Sequence, residues 1–303
     1  MPEYTYHTTD VFTSRRFGGN QLAVIPDARG LSTEEMQAIA REFNYSESTF
    51  ILPPDDPAHT RRVRIFTPGS ELPFAGHPTV GSALVLAMTG ELALDGDETR
   101  IVLEEGVGPV PVTIRCEGGV PVFAELSVAK LPEILPPVPP PSVLAPMLSL
   151  GQEELLEGVY HPQAVSCGVP FTFIPLRNRE AVRRAKLRVE LWEAALASTA
   201  APMMMLFALD AEDPAHQVRA RMFGPSEAVP EDPATGSACA ALAGYLAQRQ
   251  KAGDGTLQWI VEQGYEMGRP SLLHLSCDIA GGTITAVRVG GASVMVCSGT
   301  LTI

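Results

Sequence analysis

Closely spaced cysteines are absent from this sequence of 303 residues. The five cysteines stand far apart, with no CxxC pair and no neighbouring histidine: Cys116, Cys167, Cys239, Cys277 and Cys297. Zinc sites and redox pairs depend on close spacing, so neither kind of site is expected. An odd number of cysteines indicates reduced thiols, and we predict that all five are buried as small apolar side chains.

Basic residues are scarce as well. Lys and Arg number 22 against 35 Asp and Glu, which gives a net charge of −13. Such an acidic protein is not expected to bind nucleic acid or an anionic membrane surface. No apolar run reaches the roughly 18 residues that cross a bilayer. Residues 1–11 lack the basic and apolar regions of a secretory signal, so we expect a cytoplasmic protein.

A glycine-rich phosphate loop is also missing. The glycine pairs Gly281-Gly282 and Gly290-Gly291 fit turns between strands better than a GxGxxG fingerprint. A reaction that depends on NAD or ATP is therefore not expected.

What the sequence does contain is an internal repeat. His77–Ala83 aligns with Asp232–Ala238 without a gap, and Arg64–Pro68 aligns with Arg221–Pro225. The predicted elements also follow one order in both halves. This order is strand, helix, strand, strand: 22–25, 32–43, 49–52 and 62–66, then 171–176, 189–197, 203–209 and 218–223. Four elements in one order favour two copies of one domain.

The domain boundaries follow from the repeat. We predict an N-terminal domain over 1–128 and a C-terminal domain over 129–303. The last strand, about 292–303, is predicted to return to the first domain. The proline-rich segment 132–146 is predicted to be a stiff connector or an ordered surface strap, and the connector is favoured.

Each half then contains a helix without a polar face, at 80–88 and 237–247. A helix on a surface needs a polar face, so both helices are predicted to be enclosed. The resulting fold is α/β, with two pseudo-equivalent domains that each wrap a mainly antiparallel barrel around a central helix. Pro78 and Pro233 lie near the two helix starts, and Asp232 is predicted to be an N-cap.

Two like domains would place the equivalent loops at the helix starts on opposite sides of one cleft. These loops are Gly76–Pro78 and Asp232–Ser237. The first N–H groups of a helix lack partners within the helix and carry the positive end of its dipole. We therefore predict a small anionic substrate, a carboxylate, in the interdomain cleft.

Three titratable residues differ between the halves. Glu47 precedes a strand whose counterpart follows Ala201-Pro202, which has no titratable group, and His77 aligns with Asp232. One carboxylate, one imidazole and one aspartate suit general acid–base chemistry. Each residue taken singly has a structural explanation: Glu47 a solvated side chain, His77 a bond to a buried carbonyl, and Asp232 a helix cap.

Long motifs run through the sequence in a fixed order. They are Asp10–Thr13, Phe17–Val24, Asn44–Phe50, Arg64–Pro68, Glu71–Thr79, Glu231–Ala238 and Gln263–Ser271. From about residue 8 to the C-terminus, these motifs resemble the PhzF family, the isomerases of phenazine biosynthesis and their relatives of unassigned activity.

The resemblance implies the fold of diaminopimelate epimerase and a cytoplasmic homodimer. It also implies isomerisation of trans-2,3-dihydro-3-hydroxyanthranilate without a cofactor. The glutamate that matches Glu47 would remove a proton from one ring carbon and return it to another.

The resemblance also implies roles for the residues at the two helix starts. The side chains that match His77, Asp232 and Ser237 would hold the polar groups of the substrate or assist protonation. Backbone N–H groups at Gly76 and Gly236 would bind its carboxylate. Which of His77 and Asp232 assists the proton transfer stays open.

Two other hypotheses compete with this one. A racemase or epimerase of the same fold would use two thiols, but neither loop carries a cysteine, and Cys239 lies within the predicted enclosed helix. A non-catalytic binding protein would keep the fold without turnover. Retention of Glu47, His77, Asp232 and Ser237 together favours an enzyme.

Overall fold

The computed structural model describes residues 1–227, 229–250 and 253–303. The chain forms two compact units, one of residues 1–129 and 289–303 and the other of residues 130–288. Both units are rich in strands and contain few helices, so the fold is mixed α/β. Within the described ranges, no helix is long and apolar enough to cross a membrane.

The first unit is built from two helices and a set of mostly antiparallel strands. The strands are β1 (Glu3–Val11), β2 (Asn20–Ile25), β3 (Glu47–Leu52), β4 (Arg61–Phe66), β5 (Glu71–Leu72), β6 (Glu98–Glu105), β7 (Gly108–Glu117), β8 (Val120–Ser127) and the last strand, β18 (Ser293–Thr302). The helices are α1 (Thr33–Phe43) and α2 (Gly76–Met88). β1 pairs with β2 and β18. The pairs β2–β3 and β4–β6 are parallel, and β3–β4, β6–β7 and β7–β8 are antiparallel.

The second unit repeats this arrangement. Its strands are β9 (Glu133–Ile134), β10 (Gln163–Ser166), β11 (Pro170–Pro175), β12 (Met203–Ala208), β13 (Val218–Gly224), β14 (Val229–Asp232), β15 (Gly255–Gln263), β16 (Ser271–Ala280) and β17 (Thr283–Gly291), whose last three residues belong to the first unit. Its helices are α3 (Pro141–Met147), α4 (Arg179–Arg184), α5 (Val189–Ala195) and α6 (Gly236–Ala247). β11–β12 and β13–β15 are parallel, while β12–β13 and β15–β16 are antiparallel. The order of pair types from β2 to β7 therefore recurs from β11 to β16.

The helices α2 and α6 are enclosed in their units, as predicted. Every residue of α2 except Met88 is buried, and every residue of α6 except Ser237. Small side chains let the surrounding strands come close. A Cβ at Gly81 would lie 2.6 Å from side-chain atoms of both Leu22 and Val11. Glycine at this position thus lets α2 pack directly on β1 and β2.

The helix predicted over 32–43 is α1. Ser32 lies just outside it as the N-cap, and its side chain accepts a hydrogen bond from the Glu35 N–H. The Glu35 carboxylate in turn accepts one from the Ser32 N–H. This reciprocal capping box fixes the helix start. Asn44 ends the helix in the left-handed conformation.

The proline-rich segment is ordered and contributes to the second unit, so the favoured prediction of a pure connector is wrong. Residues 132–146 contain β9 and most of α3, and Leu144, Ala145 and Met147 belong to the core of the second unit. Pro141 stands at the first helical position, where a missing N–H costs nothing. The apolar residues that follow it bury one side of the helix, so packing overrides the proline content.

An ion pair of the same geometry occurs at the same place in each unit. Arg64 of β4 donates two hydrogen bonds to Glu71 of β5, both at 2.7 Å. Arg221 of β13 donates two to Glu231 of β14, at 2.7 and 2.9 Å. Because β4 and β13 hold the same place in the pairing order, Glu71 and Glu231 mark one position of the repeat.

This register shows that the predicted equivalence of His77 and Asp232 is wrong. Each central helix begins at a glycine that follows the equivalent glutamate by the same number of residues, Gly76 in α2 and Gly236 in α6. His77 therefore corresponds to Ser237. Asp232 lies at the end of β14, where the first unit has an apolar residue. The gapless alignment fails because small helical residues match one another at several offsets.

Candidate active site

Glu47 and His77 lie side by side in the first unit. Glu47 is the first residue of β3, and His77 is the second residue of α2. Glu47 Oε2 is 3.4 Å from His77 Nε2, and their side chains are 16% and 4% exposed, respectively. The imidazole is thus buried behind a carboxyl group that keeps some exposure. Such a pair can take up a proton and hold it next to a neutral ring.

His77 is held in its neutral form. Burial lowers the pKa of its imidazole to about 3, although a hydrogen bond with the Gln21 backbone opposes this shift. The side-chain nitrogen of Asn20, which is also buried, lies 3.2 Å from His77 Nδ1. A neutral imidazole offers one donor and one acceptor nitrogen. Asn20 and Gln21 therefore fix the ring, which faces Glu47 without carrying a permanent charge.

Glu47 has no titratable counterpart in the second unit. Ser48 of β3 pairs with Phe66, and Met204 of β12 pairs with Phe223, which holds the same position of the repeat as Phe66. Glu47 therefore corresponds to Met203, one residue beyond the predicted Ala201-Pro202. The absence of a second carboxylate at this position agrees with the asymmetry that the sequence indicates.

Asp232 is not the N-cap of α6, contrary to the prediction. The N-cap is Thr235, and its hydroxyl donates to Asp232 Oδ2 at 2.5 Å. Gln263 binds both residues: its Nε2 donates to the Asp232 carbonyl at 2.8 Å, and its Oε1 accepts from the Thr235 N–H at 3.1 Å. Thr235 and Gln263 thereby position the buried Asp232 carboxylate.

The starts of α2 and α6 carry no side-chain cap. The N-cap residues are Ala75 and Thr235, and neither side chain accepts from a helical N–H. Gly76 and Gly236 are the first helical residues, and Ser237 is the one residue of α6 that is not buried. Uncapped N–H groups and the helix dipole attract anions such as a carboxylate.

The structure thus places the predicted site residues in two sets, each within one unit. Glu47, Gly76 and His77 form the first set, and Asp232, Gly236 and Ser237 form the second. The sequence did not suggest roles for three further residues. They are Asn20, Thr235 and Gln263, which lie in the family motifs Phe17–Val24, Glu231–Ala238 and Gln263–Ser271. A polar residue that begins the largely apolar strand β2 is the signal that could have identified Asn20.

The cysteines give little support to a thiol mechanism. Cys239 is fully buried in α6, and burial together with the nearby Asp232 carboxylate raises its pKa far above the usual range. A thiol of this kind is a poor nucleophile and a poor base. The prediction that all five cysteines are buried is wrong for Cys297, which is exposed on β18.

Alkylation tests the thiol hypothesis. Iodoacetamide is expected to label Cys297 under native conditions and to leave turnover within about twofold, because the other four thiols are buried. Mass spectrometry would locate the label, and Cys297→Ser is the control that should take none. Complete loss of turnover in alkylated Cys297→Ser would mean that a buried thiol takes part in the reaction.

Within residues 1–227, 229–250 and 253–303, no group of three or more His, Cys, Asp or Glu side chains could hold a metal ion.

Comparisons with known proteins identify the family. The model of the phenazine biosynthesis-like family, PhzC-PhzF, matches residues 9–299. The chain belongs to this family. An uncharacterised isomerase of Mesorhizobium japonicum is 43% identical over 304 residues, which cover 99% of each chain. The trans-2,3-dihydro-3-hydroxyanthranilate isomerase of Pseudomonas aeruginosa is 35% identical to this chain, and the aligned region covers 95% of each protein.

The fold agrees with this assignment. The crystal structure of a PhzF-family phenazine biosynthesis protein from Bacillus anthracis superposes with a TM-score of 0.90, at 25% identity and over 100% of both chains. The two relatives above are named isomerases, and this chain is classed with them as an isomerase.

Proposed function

We propose that this protein isomerises a small cyclic amino acid that bears a carboxylate, without a cofactor, and that Glu47 is its general acid and base. The candidate substrate is trans-2,3-dihydro-3-hydroxyanthranilate, the compound named for the Pseudomonas aeruginosa relative. The observation that carries the proposal is the contact between the Glu47 carboxyl and the buried imidazole of His77.

The chemistry begins with proton removal from carbon. The Glu47 carboxylate takes a proton from one ring carbon and returns it to another, so that no net proton is gained or lost. Neutral His77 keeps the carboxyl oriented and offers a hydrogen-bonding nitrogen beside it. A cationic imidazole at this distance would stabilise the carboxylate and make it a weaker base, and burial prevents this.

The remaining site residues bind the substrate. N–H groups at Gly76 and Gly236 receive its carboxylate, since neither helix start carries a side-chain cap. Asp232 and Ser237 hold its polar groups, and either His77 or Asp232 assists the return of the proton.

The proposal extends to architecture and setting. We propose that each unit is a barrel of strands around its central helix, as the burial of α2 and α6 suggests. The acidic composition and the scattered cysteines favour a cytoplasmic protein. The protein acts as a homodimer, in keeping with the family resemblance.

To test the proposal, the reaction of each compound in a panel of candidate substrates is monitored by NMR in ordinary water. Dihydro-hydroxyanthranilate and related cyclic amino acids are each mixed with the purified protein. A rearranged double bond in the product would support the proposal. Inversion at the α-carbon without rearrangement would identify an epimerase instead, and binding without any turnover would identify a binding protein.

A further inference from the structure

Glu105 is a buried carboxyl group that the proposed mechanism does not use. It is the last residue of β6 and is 8% exposed. Its Oε1 lies 2.6 Å from the hydroxyl oxygen of Thr79, which is in the first turn of α2, two residues after His77. The same hydroxyl oxygen lies 2.7 Å from the carbonyl oxygen of Ala75, the N-cap of α2.

These two distances indicate whether the Glu105 carboxyl carries a proton. The Thr79 hydroxyl has one hydrogen to donate, but two oxygens lie within hydrogen-bonding distance of it. Neither the Ala75 carbonyl nor an ionised carboxylate has a hydrogen to donate, so each can only accept a hydrogen bond. Both contacts are satisfied together only if Thr79 donates to Ala75 and Glu105 donates to Thr79. Glu105 must then be protonated.

The second unit places a neutral donor at the same position. Arg62 of β4 pairs with Glu104, and Arg219 of β13 pairs with Glu262, so the next residues, Glu105 and Gln263, correspond. Gln263 is fully buried, and its amide Nε2 lies 3.0 Å from the Thr235 hydroxyl. In both units, a donor that ends the strand thus binds a threonine hydroxyl at the start of the central helix.

The surroundings favour the neutral form. Burial raises the pKa of Glu105 to about 8. The charged and titratable residues that line the adjacent cavity of about 530 Å³ are Asp55, Asp56, His59, Arg62, Arg64, Glu71 and Glu104. Its two arginines are already paired, Arg62 with Asp55 and Arg64 with Glu71. On α2, His77 is neutral.

We propose that Glu105 is a positioning residue, a protonated carboxylic acid that holds the first turn of α2 and thereby keeps His77 beside Glu47. The functional part of this inference rests on the proposed isomerase activity. Once Glu105 ionises, the Thr79 hydroxyl must donate to the carboxylate instead of the Ala75 carbonyl. That carbonyl then keeps only the long hydrogen bond from the Thr79 N–H, at 3.3 Å, which loosens the helix start. We therefore expect kcat to fall at alkaline pH while KM changes less.

The decisive variant is Glu105→Gln, which supplies a neutral donor as the second unit does. Kinetics from about pH 6 to about pH 10 are expected to show that kcat of the parent falls about tenfold above pH 8. The kcat of Glu105→Gln should match the parent at neutral pH and lack this fall. An equal alkaline fall in both proteins would overturn the proposal.

Glu104→Gln is the matched control, one residue away on the same strand. Glu104 accepts hydrogen bonds from the N–H groups of Asp55 and Asp56 and contacts His59, which together lower its pKa to about 2. It is ionised throughout the range, so Glu104→Gln should keep the alkaline fall of the parent. If the alkaline decrease in kcat were also missing from Glu104→Gln, Glu105 would not be the source of that decrease.

Two measurements do not depend on activity. Infrared spectroscopy should show a protonated carboxyl band at neutral pH that is missing from Glu105→Gln. The stabilisation from a protonated Glu105 is complete below its usual pKa of 4.5 and is lost as pH rises to about 8. The melting temperature of the parent should thus fall relative to Glu105→Gln over this range. If the band and this trend are absent, the inference fails; if both are present without isomerase activity, only the proposed function fails.

Discussion

Replacing Glu47 by glutamine is expected to lower kcat for isomerisation by about 10²- to 10⁴-fold, the usual contribution of a general base. The amide keeps the size of the side chain and its contact with His77 but cannot accept a proton from carbon. Because the side chain is partly exposed at the start of β3, the melting temperature should change little. Steady-state kinetics and thermal denaturation of the purified variant measure the two effects.

Glu117→Gln is the control for this substitution. Glu117 is an exposed residue at the end of β7. Its replacement by glutamine removes the same charge as Glu47→Gln, at a position far along the chain. It should retain the kcat of the parent. Full activity in Glu47→Gln would remove Glu47 as the base, whereas equal losses in both variants would point to a general effect of charge.

The largest expected loss of stability comes from Glu262→Ala. Glu262 is fully buried and accepts hydrogen bonds from the N–H groups of Glu212 and Asp213 at 2.8 and 2.9 Å. It also contacts His216 at 2.8 Å and the buried Arg219 at 3.2 Å. Removing it leaves Arg219 with less compensation and frees two backbone donors. Breaking a buried pair in this way costs about 3–5 kcal/mol in the free energy of unfolding.

The repeat supplies the matched variant, Glu104→Ala. Glu104 makes the same contacts with Asp55, Asp56 and His59, but its side chain is 13% exposed, and the corresponding arginine, Arg62, is 43% exposed. Urea denaturation should show a smaller loss than for Glu262→Ala, and an equal or larger loss would contradict this account of burial.

The contribution of Glu262 should also depend on pH. Hydrogen bonds to the backbone, His216 and Arg219 outweigh burial and lower its pKa below the usual 4.5. A lowered pKa means that the stabilisation is present above 4.5 and is lost as pH falls through the lower folded value. The difference in stability between the parent and Glu262→Ala should therefore shrink on acidification.

The order of elements and the two enclosed helices could be predicted from the sequence. Hydrophobic patterns mark β2, α1, β3 and β4 in one half and their counterparts in the other, and apolar helices show themselves by lacking a polar face. The family motifs located Glu47 and His77, which the structure brings within 3.4 Å of each other.

The register of the repeat was missed at the helix starts, although the sequence contains a better marker. Asp55–His59 reads Asp-Asp-Pro-Ala-His, and Glu212–His216 reads Glu-Asp-Pro-Ala-His. In each segment the aspartate before proline accepts from an alanine N–H at 2.9 Å, and the histidine contacts the glutamate of a distant strand. Small helical residues match by composition alone, but this loop motif matches because both copies form the same contacts.

Other features could not be predicted because they depend on contacts between distant residues. In the sequence, Glu105 is simply a polar residue near the end of a strand. The inference that its carboxyl is protonated depends on its contact with Thr79. The N-cap of α6 is Thr235 rather than Asp232 because β14 extends to Asp232 and delays the helix start. Strand pairing, which local patterns do not specify, decides this boundary.

The most direct test of the central claim, that Glu47 moves a proton on carbon, is proton NMR of the substrate in deuterated water. The parent protein and Glu47→Gln are incubated with dihydro-hydroxyanthranilate under identical conditions. The account predicts that the parent rearranges the substrate or introduces deuterium on carbon, and that Glu47→Gln does neither. Equal rearrangement or deuterium uptake by both proteins would contradict it.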